Sequence, residues 1–167
     1  MKRIGILSDT HGFLDPTIFE YFTDCDEIWH AGDFGNEVSE ALEIFKLLRG
    51  VHGNIDGNQV RKSYPAEVLF NCEDVKIFMT HIGGYPPRFE PGIRNKLQNL
   101  LPDIFICGHS HILKITRDPG LNNLLCINPG AAGKAGLHKV RTIIRLKIEG
   151  KKIFDLEVIE LGKKGQG

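Results

Sequence analysis

What most constrains this chain is a repeated pattern in which short β-branched runs stop abruptly at clusters of Gly, Asp, His or Asn. Ile4-Gly5-Ile6-Leu7 leads into Ser8-Asp9-Thr10-His11-Gly12, and Ile28-Trp29 leads into His30-Ala31-Gly32-Asp33. Val51 precedes His52-Gly53-Asn54, and Val75 to Met79 precede Thr80-His81. Ile104 to Cys107 precede Gly108-His109-Ser110-His111, and Leu124 to Ile127 precede Asn128-Pro129-Gly130. Continuous apolar runs this short suit strands buried on both faces, so the polar clusters fall at strand ends.

Helical patterns fill the gaps. Asp15 before Pro16 reads as an N-cap with proline at the first helical position, and Ile18, Phe19 and Phe22 share a face. Asn36 reads as the cap of a second helix whose stripe is Val38, Leu42, Phe45 and Leu48, closed by Gly50. A third helix covers Ile93 to Leu101 and ends before Pro102. Past Ile112 the pattern changes: Ile144, Leu146 and Ile148 alternate with charged residues, and after Gly150 so do Phe154, Leu156 and Val158, an antiparallel hairpin with one wet face. The expected class is α/β, a mixed sheet or two stacked sheets flanked by helices. We expect one domain over 1–162, with 163–167 as a flexible tail.

Composition narrows the partners. Lys plus Arg (21) balance Asp plus Glu (21), which argues against long nucleic acid or a membrane surface as a partner. No apolar run approaches the roughly 20 residues of a membrane-spanning helix. The stretch after Met1-Lys2-Arg3 stops at Ser8, short of a signal-peptide core, so a cytoplasmic location is expected. Cys25, Cys72, Cys107 and Cys126 form no CxxC pair and read as buried free thiols.

Pooling the strand-end clusters gives Asp9, His11, Asp33, Asn54, His81, His109 and His111. Carboxylate with neutral imidazole is a donor set for Mn²⁺, Fe or Zn²⁺, and open α/β sheets build their sites at strand carboxyl ends. Asp9 with His11, and His109 with His111, are spaced so that on extended backbone each pair projects from one side and clamps a cation. Two metals about 4 Å apart need a shared carboxylate, a role for which Asp33 is placed. His30, at a strand end, reads as a supporting group, and His138, in a Gly/Lys-rich loop, as a solvated side chain.

In order, Asp9-Thr10-His11-Gly12, Gly32-Asp33, Gly53-Asn54, His81 and Gly108-His109-Ser110-His111 resemble the five motif blocks of the calcineurin-like metallophosphoesterase superfamily. Length and closing hairpin look most like its small single-domain prokaryotic phosphodiesterases. The resemblance implies two β-sheets sandwiched between helices, a four-layer αββα arrangement. It also implies one metal held by Asp9, His11, Asp33 and His111 and another by Asp33, Asn54, His81 and His109, with Mn²⁺ the usual ion and Fe, Zn²⁺ or Ni²⁺ the alternatives. The implied activity is hydrolysis of a small phosphate ester, a nucleotide or cyclic nucleotide among the candidates, by metal-activated hydroxide, with the Asn54 amide on the phosphate.

The chain departs from that pattern in two places. Many members carry His after the motif Asn as a general acid, whereas here Ile55 and Asp56 follow Asn54. His52 is the candidate substitute, its other reading being a structural histidine. After His81, where relatives often have Gly, stands Ile82, opening a rim loop to Gly92 in which Arg88 and Tyr85 are candidate substrate contacts or solvated side chains. A phosphomonoesterase or pyrophosphohydrolase on the same site is the alternative enzyme. A scaffold like the small retromer subunit predicts broken ligand positions, and here every position is filled. A homo-oligomer is compatible with the pattern but not required by it.

Overall fold

The computed structural model describes residues 1–165. Its elements run β1 (Lys2–Leu7), α1 (Thr17–Tyr21), β2 (Glu27–His30), α2 (Val38–Phe45), β3 (Leu47–Gly50), α3 (Asn58–Ser63), β4 (Glu67–Cys72) and β5 (Val75–Thr80). They continue with β6 (Gly84–Tyr85), β7 (Arg88–Phe89), α4 (Ile93–Leu100), β8 (Ile104–Ile106), β9 (Leu113–Asp118), β10 (Leu124–Pro129), β11 (Val140–Glu149) and β12 (Lys152–Lys163). Two five-stranded sheets result, ordered β12-β11-β1-β2-β3 and β4-β5-β8-β10-β9. In each, three neighbouring strands are parallel, and antiparallel strands complete the sheet.

The layering follows from where the apolar side chains go. Ile4, Ile6 and Trp29 of the first sheet meet Ile77, Met79, Ile104 and Ile127 of the second in one buried cluster. Outside the first sheet, Leu7, Ile28 and Ile143 pack on Ile18 of α1 and on Val38 and Leu42 of α2. Outside the second, Phe78 and Phe105 pack on Ile93 and Leu97 of α4. This is the expected αββα arrangement. Strands with both faces covered explain why the sequence shows continuous apolar runs rather than alternation.

Several local expectations need correction. The second helix stops at Phe45; Lys46 is extended, and Leu47–Gly50 pairs parallel with β2, so Leu48 reaches the apolar cluster from a strand. Asn36 does not cap that helix, which starts after Glu37 in the left-handed region (φ 68°). The hairpin alternation breaks at a bulge around Asp155 (φ 51°), which leaves Val158 38% exposed and buries Ile159. Asp15 does accept from the Thr17 N–H (2.9 Å) at the start of α1. The expected tail begins inside β12, whose last residue is Lys163; Gln166 and Gly167 lie outside the described residues. The four cysteines are buried and free, and no helix among the described residues is long and apolar enough to cross a membrane.

Candidate metal centre

The seven nominated residues meet at one edge of the sandwich. Asp9, Asp33 and Asn54 follow β1, β2 and β3; His81 follows β5, and His109 and His111 follow β8. The chain must turn sharply there to bring side chains from both sheets together. Asp9 (φ 54°), His11 (48°), Asp33 (58°), His109 (71°) and His111 (62°) all occupy the left-handed region. Such backbone costs about 1–3 kcal/mol per residue and persists where packing over-determines it. The paired residues are therefore not on extended backbone as expected, and the consequence is visible: Asp9 and His11 fall in one group, while His109 and His111 part into two.

Those groups are Asp9-His11-His111 and Asp33-His81-His109, the donor atoms of each lying within 4.8 Å of one another. Asp33 Oδ2 is 3.5 Å from His11 Nε2 of the first and 3.1 Å from His81 Nε2 of the second, the position a shared ligand requires. Asp9 Oδ1 lies 3.2 Å from His111 Nε2 and 3.7 Å from His11 Nε2. Asp9 Oδ1, His11 Nε2 and His81 Nε2 are buried without any hydrogen-bond partner. Stranding three buried polar atoms in one spot is costly, and an oxygen-and-imidazole set pointed inward is what a divalent cation satisfies. The residues thus fit a metal.

The surrounding groups aim these donors. Asp9 Oδ2 is occupied by Ser8 Oγ (2.6 Å) and the His109 N–H (3.0 Å), which turns Oδ1 inward. The Ile55 N–H donates to Asp33 Oδ1 (3.0 Å), leaving Oδ2 for the centre. His81 Nδ1 donates to the Ala31 carbonyl (2.7 Å), which fixes the tautomer whose Nε2 is a free lone pair. His109 Nδ1 donates to Asn54 Oδ1 (3.1 Å), placing Asn54 beside the second group. Two glycines permit this crowding: a Cβ at Gly53 would overlap Asp33 Oδ1, and one at Gly108 would overlap Ser8 Oγ.

Three supporting residues escaped the sequence reading. His138 is not merely solvated: its Nε2 donates to the Gly133 carbonyl (2.7 Å), so its Nδ1 accepts from His111 Nδ1 (3.3 Å) and leaves His111 Nε2 as a lone pair. Asp56 takes the N–H groups of Gly53 (2.9 Å), Phe34 (3.2 Å) and Gly35 (3.0 Å), tying the Asp33 loop to the Asn54 loop. Arg61 binds the Asp56 and Gly53 carbonyls at 2.6 and 3.2 Å. Asp56 and Arg61 had one available signal, charged residues flanking a Gly-Asn turn. His138 had none.

The remaining nominees sit around the centre. His52 donates through Nδ1 to the Tyr64 carbonyl (2.8 Å) and shares a cleft of about 330 Å³ with Asn54 and His81, while belonging to neither group. Arg88 and Tyr85 lie on a small hairpin, β6 with β7, beside a cleft that reaches His109. His30 is a buried support, as expected: its Nδ1 accepts from the Gly32 N–H (3.1 Å), its Nε2 meets Thr10 Oγ1 (3.0 Å), and burial pushes its pKa down to about 3.

Electrostatics favours a cation here. Burial pushes the Asp9 carboxyl up, but the imidazoles of His11, His111 and His81 and the Ser8 hydroxyl outweigh it and hold the group well below the usual carboxylate range. Asp33 behaves alike: burial raises it, while His81 and the Ile55 N–H prevail and lower it. His11 is raised, chiefly by Asp9. His81 is raised although burial works against it, because Asp33 and Asp9 face it. Two carboxylates that remain ionised in a buried nest call for positive charge between them.

Known proteins place this geometry. No curated protein matches the chain at a significant level. Among solved structures, an archaeal phosphodiesterase is 27% identical, with a TM-score of 0.74 over 95% of this chain and 99% of its own. Vps29 from Entamoeba histolytica, complexed with zinc, is 18% identical, with a TM-score of 0.72 over 98% and 99%. A predicted phosphoesterase from Streptococcus pneumoniae is 19% identical, with a TM-score of 0.67 over 95% and 97%. The family profile described as the calcineurin-like phosphoesterase superfamily domain matches residues 1–151, and the chain belongs to that superfamily.

Proposed function

We propose that this protein is a metal-dependent phosphodiesterase acting on a small ester, with Asp9, His11, Asp33 and His111 holding one divalent cation and Asp33, Asn54, His81 and His109 the other. Mn²⁺ is the first candidate, with Fe, Zn²⁺ and Ni²⁺ the alternatives. The observation that carries this reading is the convergence of Asp9 Oδ1, His11 Nε2 and His81 Nε2, buried and unpartnered, around an Asp33 oxygen common to both groups. The 27% identity to an archaeal phosphodiesterase supports it. Bound divalent cations would supply Lewis acidity, lowering the pKa of water and offsetting charge on the phosphoryl oxygens.

The chain's own contribution is positioning. With Asn54 Oδ1 turned toward His109, where its second lone pair would hold the cation, the Asn54 amide N–H groups are left to donate to a phosphoryl oxygen. The position after Asn54 supplies only a backbone N–H, from Ile55 to Asp33, so no side chain there protonates the departing alcohol. Such a site favours leaving groups that depart unaided, such as aryl or nucleoside oxygens, and diesters over alkyl monoesters. Protein stripped with chelator and reloaded with Mn²⁺ should hydrolyse bis(p-nitrophenyl) phosphate faster than p-nitrophenyl phosphate. Faster monoester turnover would favour the phosphomonoesterase reading, and failure on both would refute a hydrolase.

A further inference from the structure

A phosphodiester carries two ester arms, and of the three clefts described around the centre the two larger share no lining residue. One, of about 490 Å³, begins at His109 and runs along the β6–β7 hairpin, with Pro86, Pro87, Tyr85, Arg88 and Lys114 in its lining and Glu90 its only carboxylate among the described residues. Its wall is built rather than loose: Phe89 packs edge-on against Phe105 at 5.9 Å, and Lys114 Nζ sits 5.2 Å from the Tyr85 ring centre. The other, of about 810 Å³, begins at His11 and Ile55 and lies between α2 and α3. Asn36, Glu37, Glu40, Asn58 and Gln59 line it, and among the described residues no Lys or Arg does. Gln59 Nε2 donates to Glu40 Oε1 across it at 3.1 Å. Asp56 also borders this cleft but is buried, whereas Glu37 and Glu40 are exposed and set the charge an entering group would meet.

We infer that the centre takes an unsymmetrical phosphodiester, with a planar or anionic arm in the Tyr85–Arg88–Lys114 cleft and a neutral or cationic, hydroxyl- or amine-bearing arm in the Asn36–Gln59 cleft. Arginine, lysine and an aromatic ring attract negative charge and stack on flat groups. Two carboxylates with three amides repel an anion and accept hydrogen bonds from hydroxyl or ammonium groups. The fully buried Asp9 side chain lies at the centre with its unpartnered Oδ1, so a phosphate held there would be bordered by both clefts. This assignment of arms rests on the phosphodiesterase reading.

Two substrates with the same reporter and oppositely charged second arms test it: p-nitrophenyl phosphocholine and p-nitrophenyl 2-carboxyethyl phosphate, each with the Mn²⁺-loaded protein. The choline ester should show kcat/KM about tenfold higher, a ratio that shrinks as salt rises. In the double variant E37Q/E40Q the ratio should fall to within about twofold of unity, through a higher KM for the choline ester. Charge reversal in E40K should favour the carboxyethyl ester, and thermal melts would establish that each variant is folded. Equal turnover of the two esters by the unmodified protein, or an unchanged ratio in the folded E37Q/E40Q protein, overturns the arm assignment while leaving the phosphodiesterase standing. Absence of turnover on either ester and on bis(p-nitrophenyl) phosphate overturns both.

Discussion

The two halves of the centre use the same kinds of donor but are held in place by different means. Asp9 and His111 depend on side chains, Ser8 Oγ beside the His109 N–H on one and His138 Nδ1 on the other, with Thr10 between Asp9 and His11 resting on His30. Asp33 and His81 are aimed by backbone, the Ile55 N–H on one and the Ala31 carbonyl on the other, with Gly53 pressed against the Asp33 carboxylate. Side-chain supports come away singly by mutation, whereas backbone supports have to be displaced by crowding. Each half is therefore open to its own kind of perturbation, and Asp33, central to both, should couple them most directly, with the His109 N–H on Asp9 as a second link.

The largest effect belongs to that shared carboxylate. Asp33→Asn removes the charge that faces both His11 and His81, so the variant should bind neither cation and lose kcat/KM by about 10³-fold or more, with its fold retained. Near-normal activity would break the shared role. Gly53→Ala comes next. The new methyl would overlap Asp33 Oδ1, and a displacement of about 1 Å at a catalytic site costs roughly 10²-fold. Calorimetric titration with Mn²⁺ should show both binding steps weakened, because the displaced carboxylate faces both groups. A step left at its normal affinity would mean that Asp33 is not shared.

The sequence revealed the donors of both halves and little of what aims them, for a physical reason. Asp9, Asp33, Asn54, His81, His109 and His111 end or follow apolar strands, so a period change marks their positions. The bonds made by Ile55 and Ala31 involve backbone atoms, which leave no trace in residue type, and His138 reaches His111 from a loop with no periodicity. The fold divides in the same way. Strands covered on both faces were legible as apolar runs, whereas β4 and β9, at the sheet edges, mix charged and apolar residues and resemble loops. β3 was hidden because Leu47-Leu48 continues the apolar content of α2, and only its pairing with β2 separates the two.

His138→Ala tests the side-chain-supported half. With the acceptor gone, His111 Nδ1 has no partner and its ring is free to change tautomer, which presents N–H instead of a lone pair to the centre. Loss of an orienting partner of this kind costs about 10–100-fold in metal affinity, and the loss should appear at the Asp9-His11-His111 side alone. Nitrogen-15 spectra of the metal-free variant should show His111 as a mixture of tautomers where the unmodified protein has one. An unmixed tautomer with affinity intact would return His138 to the solvated role its sequence context suggested.

The smallest expected effect lies beneath the same half, at His30. Both ring nitrogens are satisfied only in the neutral form, Nδ1 accepting from Gly32 and Nε2–H donating to Thr10, and burial holds the pKa near 3 instead of 6.5. Between those values the unfolded chain takes up a proton that the folded chain refuses. The stabilisation from neutral His30 is therefore complete above pH 6.5 and drains away as the pH falls toward 3. Between pH 6.5 and 5.5 the loss amounts to about 1 kcal/mol. In urea titrations with chelator present, His30→Gln should start less stable, having lost two buried hydrogen bonds, yet lose less further stability over that interval. Because His11 and His81 are present in both proteins, the difference between the two slopes is set chiefly by His30, and parallel slopes would show that Thr10 is not held by a histidine locked in its neutral form.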